Sequence, residues 1–271
     1  MDLDLGAYFK RIGYAGSREP TLDTLRALHR LHPAAIAFEN LTTLLGQTPA
    51  LDLASLEAKM VQGGRGGYCF EHNRLFTSVL EALGFEVTSH GARVLWGAAE
   101  ARPRPRSHRL MTVRVQGRIY LADVGFGGPS PTAPLRLEPG AVHATPHEPF
   151  RLVESDGGFV LEVQFEGAWR PLYSFDLHPQ LDVDFEVANY FVATHPASPF
   201  PTMLLAARAL EDRRVALLNN RLTVYHSDGG VERRGLSTAE ALREALSDDF
   251  GIVLPVVGEL DSVLIRIASG A

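Results

Sequence analysis

Along the first 85 residues the apolar positions recur at helical spacing. Leu22, Leu25 and Leu28 follow a capping hydroxyl at Thr21, and Pro33 is expected to stop that helix. A second run over 53–61 puts Leu53, Leu56 and Met60 on one face, with Asp52 placed to cap it. Between 63 and 67 lie four glycines around Arg65, which break any helix and force a tight turn. The helical stride then resumes from Cys69: that residue, Asn73, Phe76, Leu80 and Leu83 share one face, and Gly84 ends it.

From Phe85 to Phe175 the period shortens to two. Val113 and Val115 alternate toward one side, Gln116-Gly117 is a hairpin turn, and Ile119 and Leu121 continue on the returning strand. Further strands are expected over 150–154, 159–165 and 169–175, separated by glycine-containing turns. Closely spaced strands with short turns predict a meander or barrel. The last third is mixed. Residues 184–194 are helical with Phe185, Ala188 and Val192 in a stripe, and His195-Pro196 ends them. Asn219-Asn220 joins two short strands, Ser237 to Glu240 reads as a capping box, and Leu260, Val263, Leu264 and Ile267 mark a final helix. The chain thus divides into 1–85, helical; 86–180, strand-rich; and 181–271, mixed.

At 271 residues with 45% hydrophobic and 21% charged, the chain can bury a substantial core. No apolar run approaches the ~20 residues of a membrane helix, and the acidic, amphipathic start lacks the pattern of a secretory signal. A cytoplasmic protein without a membrane partner is expected. The net charge of -6 argues against nucleic acid as a partner. One cysteine rules out an intrachain disulfide and any cysteine-cluster metal site. Lys10 and Lys59, the two lysines, follow no phosphate-binding glycine loop. His143 and His147 have a metal-like spacing, but Pro146 lies between them and no HExxH glutamate is present, so no metal is expected.

What remains is a thiol among ten histidines. Cys69 sits where a helix begins, and the unpaired N–H groups there favour a thiolate. The glycine turn before it lets a ligand approach the backbone and offers N–H groups to an oxyanion. A thiolate nucleophile is served by a base, and the base by an acceptor that orients it. His108 opens one strand of the 108–124 hairpin. Pairing about Gln116-Gly117 sets facing residues whose numbers sum to about 233, which brings Asp123 to His108. Cys69, His108 and Asp123 therefore form a candidate catalytic triad.

Arg65-Gly-Gly-Tyr-Cys69-Phe-Glu-His-Asn73, His108-Arg-Leu and Ala122-Asp123-Val-Gly-Phe-Gly-Gly128 resemble the motifs of the bacterial arylamine N-acetyltransferase family. So do Ala7-Tyr8-Phe9 through Tyr14, Phe38-Glu39-Asn40-Leu41 and Thr194-His-Pro through Phe200, so the resemblance runs the length of the chain. It implies an α+β fold of three parts: a helical bundle carrying the nucleophile, a β-barrel carrying His and Asp, and an α/β lid, related to papain and transglutaminase cores. It also implies ping-pong transfer of an acetyl group from acetyl-CoA to a small aromatic amine or hydrazine, through an acetyl-cysteine. By the same resemblance Phe38, Val94, Phe126 and Phe200 line the acceptor pocket, and Gly127 and Gly128 meet the coenzyme. Arg65 is expected to pair with Glu39, and the arginine-rich loop 102–106 reads as solvated. Two other chemistries share such a triad: an amide synthase that releases a polyketide acyl chain, and a cysteine hydrolase that passes the acyl group to water.

Overall fold

The structure, a computed structural model, describes residues 3–97 and 103–270. Arg102, the first residue of the arginine-rich loop, lies outside the described residues.

Five helices come first: α1 (Leu5–Ile12), α2 (Leu22–Ala35), α3 (Leu41–Leu44), α4 (Leu53–Leu56) and α5 (Cys69–Ala82). Thr21 caps α2 by accepting from the Thr24 N–H, as its position before the leucine stride predicts. Pro33 does not stop that helix, which runs on to Ala35. A proline removes one intrahelical donor, and so close to the end the loss is small. Ile36 N–H closes the last turn on the His32 carbonyl at 2.8 Å. The predicted 53–61 helix also differs: only Leu53–Leu56 is α-helical, and Glu57–Gln62 widens into a π-turn. The wider turn still brings Leu56 and Met60 fully into the core, so the apolar stride survives the change of pitch.

The strands form two sheets. The larger, eight-stranded, comprises β2 (Glu86–Val94), β3 (His108–Val115), β4 (Arg118–Ala122), β5 (Leu135–Arg136), β6 (Val142–His143), β7 (Phe150–Ser155), β8 (Gly158–Phe165) and β9 (Ala168–Phe175), in the order β5-β4-β3-β2-β9-β8-β7-β6. The β3–β4 register pairs Met111 with Ala122 and Val113 with Tyr120, the sum of 233 that the turn predicts. Gln116 and Gly117 both take positive φ, 51° and 73°, the twist that a two-residue hairpin requires. The smaller sheet joins β1 (Phe38–Glu39) to β10 (Leu205–Ala209), β11 (Arg213–Leu218), β12 (Arg221–His226) and β13 (Val231–Gly235). Because Phe38 pairs with Ala207 and bridges in parallel to Gly67, β1 anchors the glycine turn to the last third of the chain. Helices α6 (Asp182–Thr194), α7 (Ala239–Asp248) and α8 (Glu259–Ser269) complete the fold. The cap of α7 is Thr238, accepting from Ala241, rather than the predicted Ser237. That shift points Ala239, Leu242, Ala245 and Leu246 inward.

Helices and strands of this kind make the protein α+β. One core packs α1, α2 and α5 against β3 and β4, with Leu28, Phe76 and Val113 fully buried. A second fills the eight-stranded sheet around Leu110, Phe150 and Leu172, and a third joins α7 and α8 to the smaller sheet. No described helix is long and apolar enough to cross a membrane.

Candidate active site

Cys69 is the first residue of α5, and the turn before it leaves room for nothing larger than glycine at one point. A Cβ at Gly66 would lie 1.9 Å from the Ala37 carbonyl oxygen. Arg65 reaches out of this turn to Glu39, donating from Nε at 2.9 Å, and the other Glu39 oxygen takes the Leu41 N–H at 2.7 Å. The predicted pair is thus present, and it ties the turn to β1. Glu71, one turn into α5, accepts the Tyr68 N–H at 3.1 Å and the Lys59 ammonium at 2.7 Å. These bonds fix the direction from which α5 delivers the thiol.

His108 and Asp123 come from the ends of β3 and of the β4 run, both fully enclosed, with 2.7 Å between Nε2 and Oδ2. Burial works against a charged imidazole here. The Asp123 carboxylate outweighs it, and with a further contribution from Cys69 pushes His108 up to about 10. Burial likewise works against the Asp123 charge, yet His108, Asn73 and the Gly125 N–H together hold its carboxyl below the usual range. Cys69 Sγ lies 3.8 Å from the Ser107 carbonyl, at the residue just before His108. The three predicted residues are therefore brought together, and the site favours the imidazolium that forms when His108 takes up a proton beside the sulfur.

Several groups support the triad, of which Asn73 and His72 stand in the quoted motif while His29 and His32 of α2 do not. Asn73, on the same face of α5 as Cys69, donates to Asp123 Oδ1 at 2.8 Å and accepts the Val124 N–H at 3.1 Å. His29 of α2 accepts the Asp123 N–H at Nε2, 3.1 Å away, so its proton is on Nδ1. Beside it runs a wired chain. His72 Nε2 faces the Ala37 carbonyl, which can only accept, so Nδ1 of His72 accepts from His32 Nε2–H, and His32 Nδ1 accepts from the Tyr8 hydroxyl, at 3.1, 2.8 and 2.8 Å. His29, His32 and His72 are all fully buried, and the contact of His29 with Asp123 is long-range and has no sequence signature.

All three imidazoles are held neutral. Burial pulls His29 and His72 down to about 4 and His32 well below its ordinary value. The unfolded chain, with histidines near 6.5, takes up protons that the folded protein refuses, so stability falls as pH drops from 6.5 toward 4. His108 has the opposite sign: its contribution is full below 6.5 and is lost as pH rises toward 10. Between pH 6.5 and 5 the depressed histidines dominate, at roughly 1–2 kcal/mol for each of His29 and His72. Thermal unfolding should shift down by roughly 10 °C over that interval. A melting temperature that stays flat from pH 6.5 to 5 would contradict neutral, buried imidazoles.

Around the triad stand aromatic rings. Phe126 meets His108 edge-on at 5.3 Å, and Tyr173 lies 5.1 Å from His108 and 5.4 Å from Phe126. Across from them Phe38 is 6.4 Å from Phe200, and Phe200 is 5.5 Å from Tyr68. Phe38 also stacks on His72, parallel within 11°. Val94 stands opposite Tyr173 in the β2–β9 register. Gly127, at φ 92°, lies against Phe38, where a Cβ would come within 3.3 Å of the ring, while Gly128 opens to solvent. The arginine-rich loop does not stand free in its described part: Arg106 pairs with Asp176 and Arg93 donates to the Arg104 carbonyl. His147 is likewise engaged, with Nε2 on the Leu210 carbonyl at 2.8 Å. Among the described residues no group of three or more His, Cys, Asp or Glu side chains could hold a metal ion.

A buried base–carboxylate pair aimed at a thiol on a helix N-terminus is an arrangement for forming and breaking acyl–sulfur bonds. Residues 21–258 match the model of the N-acetyltransferase family. The chain is 46% identical to the arylamine N-acetyltransferase of Mycobacterium tuberculosis, over 98% of this chain and 95% of that protein. It is 41% identical to that of Escherichia coli, over 92% of this chain and 88% of that protein. Among solved structures, the Mycobacterium marinum arylamine N-acetyltransferase in complex with CoA superimposes with a TM-score of 0.93, at 40% identity, covering 97% of this chain and 99% of that one.

Proposed function

The chain belongs to the arylamine N-acetyltransferase family, and from that membership we propose the course of its reaction: transfer of the acetyl group of acetyl-CoA to an arylamine or arylhydrazine through an acetyl-cysteine on Cys69. The observation that carries this reading is the enclosed His108–Asp123 pair, 2.7 Å apart, at the N-terminus of the helix that begins with Cys69.

His108 takes the thiol proton, and the sulfur attacks the thioester carbonyl. The bond to the coenzyme sulfur breaks, and coenzyme A leaves with a proton relayed by the imidazole. One thioester replaces another, so the acyl-enzyme lies close in energy to the donor. The aromatic nitrogen then attacks, its proton passes to His108, and the Cys69 sulfur leaves. Amide resonance draws this second half forward. Aromatic amines and hydrazines are mostly unprotonated at neutral pH, whereas an alkylamine near 10 is not, which favours them as acceptors. Asp123 keeps the imidazole in one orientation and stabilises its cation. Phe38, Phe126 and Phe200, with Val94 at the edge, suit an aryl ring between aromatic walls, and Gly127 and Gly128 suit the approach of the coenzyme arm. The division into a helical part (1–85), a barrel (86–180) and a lid (181–271) belongs to the same reading.

Steady-state rates measured with acetyl-CoA and an aniline, each varied at several fixed levels of the other, should give parallel double-reciprocal lines. Lines that converge would mean a ternary complex and would remove the acetyl-enzyme from the pathway.

A further inference from the structure

The segment after the triad aspartate has an unusual distribution of backbone bonds. Its first four N–H groups are all taken: Asp123 by His29, Val124 by Asn73, Gly125 by the Asp123 carboxylate and Phe126 by the Ser130 hydroxyl. Pro129 has no N–H to offer. Between them, the N–H groups of Gly127 and Gly128 meet no acceptor among the described residues. The carbonyls of the same stretch are turned the other way. Gly127 O receives the Ser130 N–H at 3.2 Å, and Gly128 O and Ser130 O receive Arg214 Nη1 and Nη2 at 3.2 and 2.7 Å.

Arg214 comes from β11, far away in sequence, and is only 3% exposed. Two more of its donors go to Glu148, with Nε 3.0 and 2.8 Å from the two carboxylate oxygens and Nη2 2.7 Å from one of them. Glu148 therefore balances the guanidinium charge, and the bonds to the Gly128 and Ser130 carbonyls fix two peptide planes. The neighbouring His147, also from the 145–148 stretch, adds a second staple, between the Thr132 hydroxyl at 3.1 Å and the Leu210 carbonyl.

We propose that Arg214, balanced by Glu148, is a positioning residue that holds the 127–130 turn so that the Gly127 and Gly128 N–H groups receive an amide carbonyl of the donor's pantetheine arm. The position of the turn selects an amide rather than a phosphate. Gly127 directly follows Phe126, whose ring is 5.3 Å from His108, and it abuts Phe38. A group bound there lies near the reacting thioester, where the pantetheine arm carries its first amide; the diphosphate lies at the arm's far end. This inference rests on the proposed use of acetyl-CoA.

Three acyl donors separate the possibilities: acetyl-CoA, N,S-diacetylcysteamine (the same first amide, no phosphate) and p-nitrophenyl acetate (neither). Arg214→Met should lower kcat/KM about tenfold with the first two, through KM, as expected for loss of a well-aimed hydrogen bond. The rate with p-nitrophenyl acetate should stay within about twofold. Arg214→Lys keeps a charge for Glu148 but lacks the planar fork that spans two carbonyls. It should shift the donors in the same pattern, and it carries the test if the methionine variant does not fold. Arg213→Gln, at the neighbouring residue paired with Asp212 on the surface, should leave all three donors unchanged. An equal loss with all three donors would make Arg214 a general structural support and overturn the proposal, as would no loss with any. A loss confined to acetyl-CoA would move the contact to the phosphates and overturn the amide assignment. Failure of the unsubstituted protein to react with acetyl-CoA would instead overturn the functional reading beneath it.

Discussion

Cys69→Ala should reduce acetyl transfer by on the order of 10⁴-fold or more, the scale of losing a covalent nucleophile, while leaving the fold intact. Cys69 is the one cysteine in the chain, so no neighbouring thiol can substitute for it. The site around it is assembled by other groups: Glu39 and Arg65 hold the turn, Glu71 holds the start of α5, and Asn73 and His29 hold Asp123. None of these bonds involves the sulfur. Removing one small atom at a position 4% exposed should therefore change thermal stability little. Cys69→Ser tests the same point more stringently. It keeps the size and a proton for His108, but a hydroxyl is a far weaker nucleophile than a thiolate, and the oxygen ester it would form is a poor match for a thioester donor. Activity assays and melting curves on both variants check this; a stable variant retaining a few per cent of transfer would be inconsistent with a cysteine nucleophile.

Asp123→Asn should cost about 10³- to 10⁴-fold in kcat, the range seen when a triad carboxylate becomes an amide, with little change in KM. The local bonds dictate how the amide sits. Two donors, Asn73 Nδ2 and the Gly125 N–H, converge on Oδ1 at 2.8 and 3.0 Å, so that position must remain an oxygen. The new NH₂ then occupies the Oδ2 position and points at His108 Nε2. A nitrogen facing a donor must accept, so the imidazole proton moves to Nδ1, toward Cys69. His108 is left in the tautomer that cannot take the thiol proton. It also loses the carboxylate that does most to raise it, which leaves only the contribution of Cys69 to oppose burial. Alkylation of Cys69 by iodoacetamide at neutral pH should slow in parallel with kcat. A variant with normal alkylation and normal turnover would show that the carboxylate does not control the imidazole.

Much of this site is written in short-range patterns. The 3.6-residue stride through Asn73, Phe76 and Leu80 places Cys69 at a helix start, and the Gln116-Gly117 turn fixes a register that carries Asp123 to His108. Both depend on neighbours in sequence, which periodicity and turn chemistry report directly. The departures are local too: α2 continues past Pro33, where the lost donor falls near the helix end, the Glu57–Gln62 turn widens, and the α7 cap is Thr238. What no pattern announces is the support from a distance. His29 meets Asp123 across 94 positions and Arg214 meets Gly128 across 86. Each such residue is in itself an ordinary histidine on a helix or an arginine on a strand. Its role exists only once α2 packs under β4, or β11 lies beside the turn after Asp123.

The account turns on a covalent intermediate, and the mass of the intact protein reads it directly. After brief incubation with acetyl-CoA and no acceptor, the protein should carry a single acetyl group, absent from Cys69→Ala, and an arylamine or arylhydrazine should remove it with formation of the acetylated product. No adduct on a demonstrably reduced thiol, or an adduct that persists in Cys69→Ala, would contradict the account.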